Sequence, residues 1–256
     1  MMSTANFPVA ALSRWSDVLK SVATVVVVAT LAPAHAAAPV AGETYLYRLS
    51  NGYNNEPLAQ IIYRVDKVGP DRIAMSVSTG SPATETARTE IYTSAGNWLR
   101  GTLTSHDQLR EFEFAPAYPA YAFPLDAGKS WSMRVNATDP TTGKRNSVRV
   151  DGKVLGNERI RVPAGEFDTI KIRRLVYVGD WDGFRLETNI METEWYAPAL
   201  GRPVRSESKS EYIDNSQCLR SGCPPIRGDW NVYELVSRTS ASSAAPRPDS
   251  VSTAAR

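Results

Sequence analysis

Two runs decide the fold: Ser147-Val-Arg-Val-Asp-Gly152 and, a little further on, Arg159-Ile-Arg-Val-Pro-Ala-Gly-Glu-Phe-Asp-Thr-Ile-Lys-Ile172. In both, apolar and polar residues alternate, as Val148/Val150, then Ile160/Val162, then Ile170/Ile172. Successive side chains of a strand point to opposite faces, so this period of two marks a sheet with one buried face and one wet face. Pro163-Ala-Gly165 between the last two runs is a tight-turn sequence, and Asp151-Gly152 reads as a second turn.

The same rhythm extends in both directions, through Tyr45/Tyr47/Leu49, Ile61/Tyr63/Val65, Ile73/Met75/Val77, Phe112/Phe114, Trp131/Met133/Val135 and Val232 to Val236. Turn signals separate these runs: Asn51-Gly52, Gly69-Pro70, Gly80-Ser-Pro82, Ala95-Gly-Asn97, Asp139-Pro140 and Asp182-Gly183. Helical periodicity does not compete. The chain is therefore all-β, a single antiparallel meander of about ten or more strands. A sheet of that width must hide its apolar face, so it curls into a barrel, a half-barrel or a two-sheet sandwich. Phe114 to Pro124 is too rich in proline for a central strand and reads as an ordered, aromatic-bearing loop over one end of the sheet.

Composition places the chain among globular proteins: 42% of its 256 residues are hydrophobic, enough for one real core. With 29 Lys and Arg against 27 Asp and Glu, there is no basic excess of the kind a nucleic-acid binder carries. Arg14 and Lys20 precede an uncharged run of 12 residues, Ser21 to Ala32, which Pro33 and Ala34-His-Ala36 follow. That order is expected of a cleaved secretory leader, residues 1–36, and the run is shorter than the roughly 20 residues of a spanning helix. No cysteine near residue 36 offers an N-terminal lipid attachment. The expected organisation is a leader at 1–36, one β domain at 37–239 and a disordered tail at 240–256, whose Ser, Ala and Pro have little to bury. The expected compartment is periplasmic or extracellular, with no membrane span after cleavage. Cys218 and Cys223, five positions apart around Gly222, are expected to form a local disulfide there.

Three further segments are distinctive together: Phe123-Pro-Leu-Asp-Ala-Gly-Lys-Ser-Trp131, Val162-Pro-Ala-Gly-Glu-Phe-Asp-Thr-Ile-Lys171 and Glu194-Trp-Tyr-Ala-Pro-Ala-Leu-Gly-Arg-Pro-Val204. In order and spacing, residues 123 to 205 resemble a group of exported bacterial β-rich domains of unknown function. The resemblance implies fold and export and brings no catalytic residues with it.

For chemistry, the sequence offers no nucleophile elbow, and His106 is the one imidazole after the leader. No cofactor or metal site is expected. Paired carboxylates give the enzymatic alternative, a carbohydrate-active hydrolase: Glu192 and Glu194 share a strand face, expected to be the wet one, and Asp180 and Asp182 flank Trp181 at a hairpin tip. Between Lys144 and Arg174, nine basic residues face four acidic ones. If the alternating Val and Ile residues point inward, Arg149, Arg159, Arg161, Lys171 and Arg173 form an outward stripe that attracts anions. Alternatively Glu187, Glu192 and Glu194 neutralise it across strands. Finally, Tyr118, Tyr121, Trp131, Met133 and Trp195 are candidates for lining an apolar groove, with the tyrosine hydroxyls wet. The favoured reading is a non-enzymatic exported domain that binds an apolar small molecule, a cell-envelope component or a protein partner.

Overall fold

The computed structural model describes residues 37–80, 86–219 and 222–240. The proposed leader and nearly all of the proposed tail lie outside them. Twelve strands follow in order: β1 Thr44–Asn51, β2 Pro57–Val68, β3 Arg72–Thr79, β4 Thr86–Thr93, β5 Trp98–Ser105, β6 Gln108–Tyr118, β7 Ser130–Thr138, β8 Arg145–Val162, β9 Gly165–Tyr177, β10 Asn189–Ala197, β11 Arg202–Ile213 and β12 Pro225–Thr239. Each pairs antiparallel with its sequence neighbour, and β12 returns to β1, which closes the sheet into a barrel. Closure leaves no free edge to attract other chains. Of the three shapes open to a long meander, this is the first.

Alternation finds most of these strands and misreads one turn. Val148/Val150 and Ile160/Val162 belong to a single strand, β8, and Asp151-Gly152 lies inside it. Gly152 stands opposite Trp131 of β7, and a Cβ on it would land in the indole ring, so this glycine makes room for an aromatic instead of turning the chain. The proline-rich segment is also partly strand, because β6 runs to Tyr118. Its ladder with β7 is confined to Glu113 through Ala115, and Pro116 lies beyond it, where no N–H is needed.

Apolar packing divides into two clusters. In one, Leu103, Phe112 and Phe114 from β5 and β6 meet Val150, Ile172 and Ile190 from β8 to β10. In the other, Tyr45, Ile61, Met75 and Val77 from β1 to β3 meet Val204 and Leu235. Each fully buried aliphatic side chain contributes roughly 1.5–3 kcal/mol. The tip of the β8–β9 hairpin reaches β12, where the Ala164 N–H donates to the Leu235 carbonyl at 3.0 Å. Two seams are thin. Among the described residues, β4 pairs with β5 at Ile91 and Tyr92, and β6 with β7 at three positions.

Candidate functional site

Directly opposed residues of an antiparallel pair share a face, so the register traces the barrel's interior. One inward row runs Leu49, Tyr233, Ser206, Glu194, Ile172 and Val154; the next runs Asn231, Ser208, Glu192, Arg174, Gly152 and Trp131. On the far wall, Tyr45, Tyr63, Val77 and Arg88 form one row, and Met75 faces Glu90 in another. The interior thus carries a polar layer between the two apolar clusters. Tyr63, Tyr92, Tyr233, Ser206 and Ser208 are only half-buried although their side chains point inward. The three tyrosines pack against the second cluster, and burial pushes their pKa values up.

Glu192 and Glu194 are part of this layer and do not lie on a wet outer face. Between them sits Arg174, buried, its Nε on Glu192 Oε2 at 2.7 Å and its Nη2 on Glu194 Oε1 at 2.5 Å. Its Nη1 also donates to Glu194 Oε2 at 3.2 Å and to the Ala120 carbonyl at 3.1 Å. The Tyr118 hydroxyl donates to Glu192 and the Tyr121 hydroxyl to Glu194, at 3.0 and 2.9 Å. These hydroxyls are therefore bound inside rather than wet at a groove mouth, and burial first, then the adjacent carboxylates, pushes their pKa values well above the usual 10.0. A glycosidase needs open space between its two carboxylates for the sugar oxygen or a water. Here a guanidinium fills that space. Arg174 itself is legible in the sequence: it continues the inward set Ile170, Ile172, Arg174, Val176, and a charge at an inward position signals a buried polar cluster.

Across the interior, Arg88 bonds Glu90 at 2.8 Å, and the Tyr92 hydroxyl also donates to Glu90. Arg202, the first residue of β11, reaches across to β1, β2 and β3. Its guanidinium lies 4.1, 4.9 and 5.3 Å from the ring centres of Tyr45, Tyr63 and Tyr47, and its Nε donates to the Tyr47 hydroxyl at 2.9 Å.

The two aspartates flanking Trp181 have separate surroundings. Asp180 is buried and accepts bonds from the Ser105 hydroxyl, the His106 N–H, and both the N–H and hydroxyl of Thr188. Burial raises its pKa, but these bonds outweigh burial and hold it below the usual 3.8. Asp182 is exposed and pairs through its backbone with Arg185. Ser105, His106 and Asp180 bring together the residue types of a catalytic triad, but Ser105 bonds Asp180 directly and His106 Nδ1 faces both, so no imidazole relays between them. His106 and Asp107, with φ of 50° and 58°, make the two-residue turn between β5 and β6.

The outward stripe exists and is largely neutralised, though by neighbours other than Glu187, Glu192 and Glu194. Arg149 pairs with Asp151, Arg159 with Glu166 and Asp168, Arg161 with Glu166, and Lys171 with Glu158. Arg173 has no carboxylate within 4.0 Å among the described residues; with Lys153, Trp131 and Leu175 it borders an open outer depression of about 470 Å³. Met133 is exposed. Trp195 points outward but is covered: Lys171 and Arg205 lie 4.7 and 5.2 Å from its ring, and its N–H donates to Glu158 at 3.1 Å. The five aromatic and methionine candidates therefore do not line one groove. Cys218 and Cys223 are bonded in an exposed loop, closed also by reciprocal backbone bonds of Leu219 and Gly222.

No helix among the described residues is long and apolar enough to cross a membrane. The barrel's outer face carries ion pairs such as Arg48–Glu234, Arg205–Glu234 and Arg149–Asp151, where a wall against lipid would carry an apolar band.

No family model and no curated protein matches the sequence. Among solved structures, the chain is similar to a candidate exported protein with a YmcC-like fold from Bacteroides fragilis, at 16% identity and a TM-score of 0.49 over 80% of this chain and 99% of that one. It is also similar to a candidate lipoprotein from Parabacteroides distasonis, at 13% and 0.46 over 78% and 96%. A third is the hypothetical lipoprotein YmcC of Escherichia coli, at 12% and 0.40 over 77% and 85%.

Proposed function

We propose that this chain is an exported, non-enzymatic binding barrel that works in the periplasm or outside the cell and takes an envelope-derived ligand into its interior. The observation that carries the reading is the polar layer: inward-facing Tyr63, Tyr92, Tyr233, Ser206 and Ser208 are only partly buried within a closed wall. A barrel that only had to fold would fill these positions with apolar side chains. Rings beside hydroxyls suit a hydroxylated ligand better than an acyl chain. The leader-like segment before residue 37 supports export, as does the pairing of both cysteines in an exposed loop, which suits an oxidising compartment.

The test is titration with two panels, saccharide fragments of envelope polymers and acyl lipids, followed by thermal shift and tryptophan emission. A ligand that binds only the folded state raises the melting temperature as it saturates. The reading expects a shift from the saccharide panel and none from the lipid panel. A lipid-only response moves the ligand class, silence from both removes the binding role, and turnover of any saccharide removes the non-enzymatic one.

A further inference from the structure

We propose that Arg202 anchors a site for a carboxylate-bearing ligand at the end of the barrel formed by β1 to β3 and the start of β11; this rests on the interior being a binding site. The remaining arginines that reach inward or across a barrel end have carboxylate partners: Arg88 has Glu90, Arg174 has Glu192 and Glu194, and Arg238 has Glu43. Arg202 has none within 4.0 Å among the described residues. A cation drawn out of bulk water without an anion is costly, and the tyrosine rings around it offset that cost only in part.

The guanidinium is held in place but not used up. Its Nε donates to Tyr47, whose hydroxyl in turn donates to the Pro203 carbonyl at 2.7 Å, and its Nη1 has only the Met75 sulfur at 3.9 Å, a weak acceptor. Five N–H donors make up the group. The Nη edge therefore keeps donors in the fork geometry that a carboxylate accepts through two parallel bonds. Rings at 4.1 and 4.9 Å fix the plane of that fork before any ligand arrives, so little rotamer freedom is lost on binding. Tyr63 is half-buried beside it, and its hydroxyl makes no hydrogen bond within the described protein.

The surroundings also set the charge of the ligand. The carboxylates nearest these tyrosines, Glu194 and Glu90, already have cations of their own, Arg174 and Arg88. Arg202 is thus the unpaired charge of the group, and a single negative charge matches it. A monoanionic carboxylate matches that charge and the planar fork, and a phosphate dianion exceeds it by one charge.

The experiment uses the purified full chain and a matched set of probes: glucuronate, benzoate and acetate as carboxylates, with glucose and inorganic phosphate as controls. Binding is read by thermal shift and by the near-ultraviolet difference spectrum of the tyrosines. Glucuronate is expected to raise the melting temperature and perturb the tyrosine spectrum, with an affinity at least about tenfold above that of glucose. Arg202→Gln is expected to abolish the response, and Arg202→Lys, which keeps the charge and loses the fork, to weaken it. An equal response to glucose or to phosphate overturns the carboxylate assignment, as does an undiminished response in a folded Arg202→Gln. Silence from every carboxylate also overturns it, while the wider binding role is judged by the two panels above. If Arg202→Gln does not fold, the wild-type contrast between glucuronate and glucose, together with Tyr63→Phe, decides the matter.

Discussion

Arg174 on β9 and Glu192 on β10 stand directly opposite each other inside the barrel, joined by an Nε to Oε2 bond of 2.7 Å. Glu194, two residues along the same strand, takes the other edge of the same guanidinium. The three form one structural strut across the polar layer. Removing the cation leaves two carboxylates facing each other away from bulk water, so Arg174→Ala is expected to cost about 3–5 kcal/mol in urea unfolding. Arg174→Lys should recover part of this, since an ammonium keeps the charge but cannot bond both glutamates in parallel. An unchanged midpoint in Arg174→Ala would show that the strut bears no strain of this kind.

Asp180 plays the corresponding part at the barrel end, tying β5 and the following turn to the segment before β10. Its folded pKa lies below the usual 3.8, because four hydrogen bonds outweigh burial. A depressed carboxylate stabilises the fold fully above its unfolded value, and that contribution is lost as pH falls through the folded value. Denaturation midpoints should thus hold steady above pH 3.8 as far as Asp180 is concerned and drop below it. Asp180→Asn sets an amide against donors, should cost about 1–3 kcal/mol at neutral pH, and should flatten that acid limb.

The fold was legible where the inward residues are apolar and illegible where they are not. On β1, β3 and β9, Tyr45/Tyr47, Met75/Val77 and Ile170/Ile172 face a hydrophobic cluster, and hydrophobicity alternates as a half-buried strand should. On β4 and β11 the inward sets are Arg88, Glu90, Tyr92 and Ser206, Ser208, Ser210, so the same geometry leaves no apolar rhythm. On β10 the pattern is inverted, with Met191 and Trp195 outside and Glu192 and Glu194 inside. The strands hardest to read are those that build the candidate site. Arg202 is illegible for a related reason: its tyrosine neighbours are about 139 to 157 residues away in sequence, a juxtaposition that only barrel closure brings about.

Tyrosine burial sets an alkaline limit. Tyr45 and Tyr196 have pKa values pushed up to about 12, in each case by burial first and then by a neighbouring glutamate. A raised folded pKa contributes stability that is complete below the unfolded value of 10.0 and is lost as pH rises through the folded one. Stability should therefore decline between pH 10 and 12, and tyrosinate absorbance in that window should rise together with unfolding. Ionisation of these two rings at pH 10, in a chain that remains folded, would contradict their placement.

The Cys218–Cys223 bond closes too short a loop to hold up the barrel. Chain-entropy arguments give about 2 kcal/mol or less for such a ring, and the preceding turn is held separately by the Asn215 N–H on the Phe184 carbonyl at 2.9 Å. Cys218→Ser is expected to fold, with a loss no greater than that. Failure of the variant to fold, or free thiols in protein purified from an oxidising compartment on non-reducing peptide mapping, would each refute the picture.

Gly152 and Trp131 supply the sharpest packing test, because the glycine's whole purpose in β8 is the ring across from it. A methyl group at position 152 must displace the indole, which also gives up the 2.9 Å bond from its N–H to the Pro119 carbonyl. Gly152→Ala is expected to cost about 1–3 kcal/mol and to shift tryptophan emission to the red as the ring moves toward water. The cost has a specific source, so it should disappear when that source is removed. In a Trp131→Ala background, Gly152→Ala should be nearly neutral, and the two substitutions should show a coupling of about 0.5–3 kcal/mol. Strict additivity would mean that the glycine serves the strand for some other reason, and the reading of Asp151-Gly152 as a position shaped by the ring would fall with it.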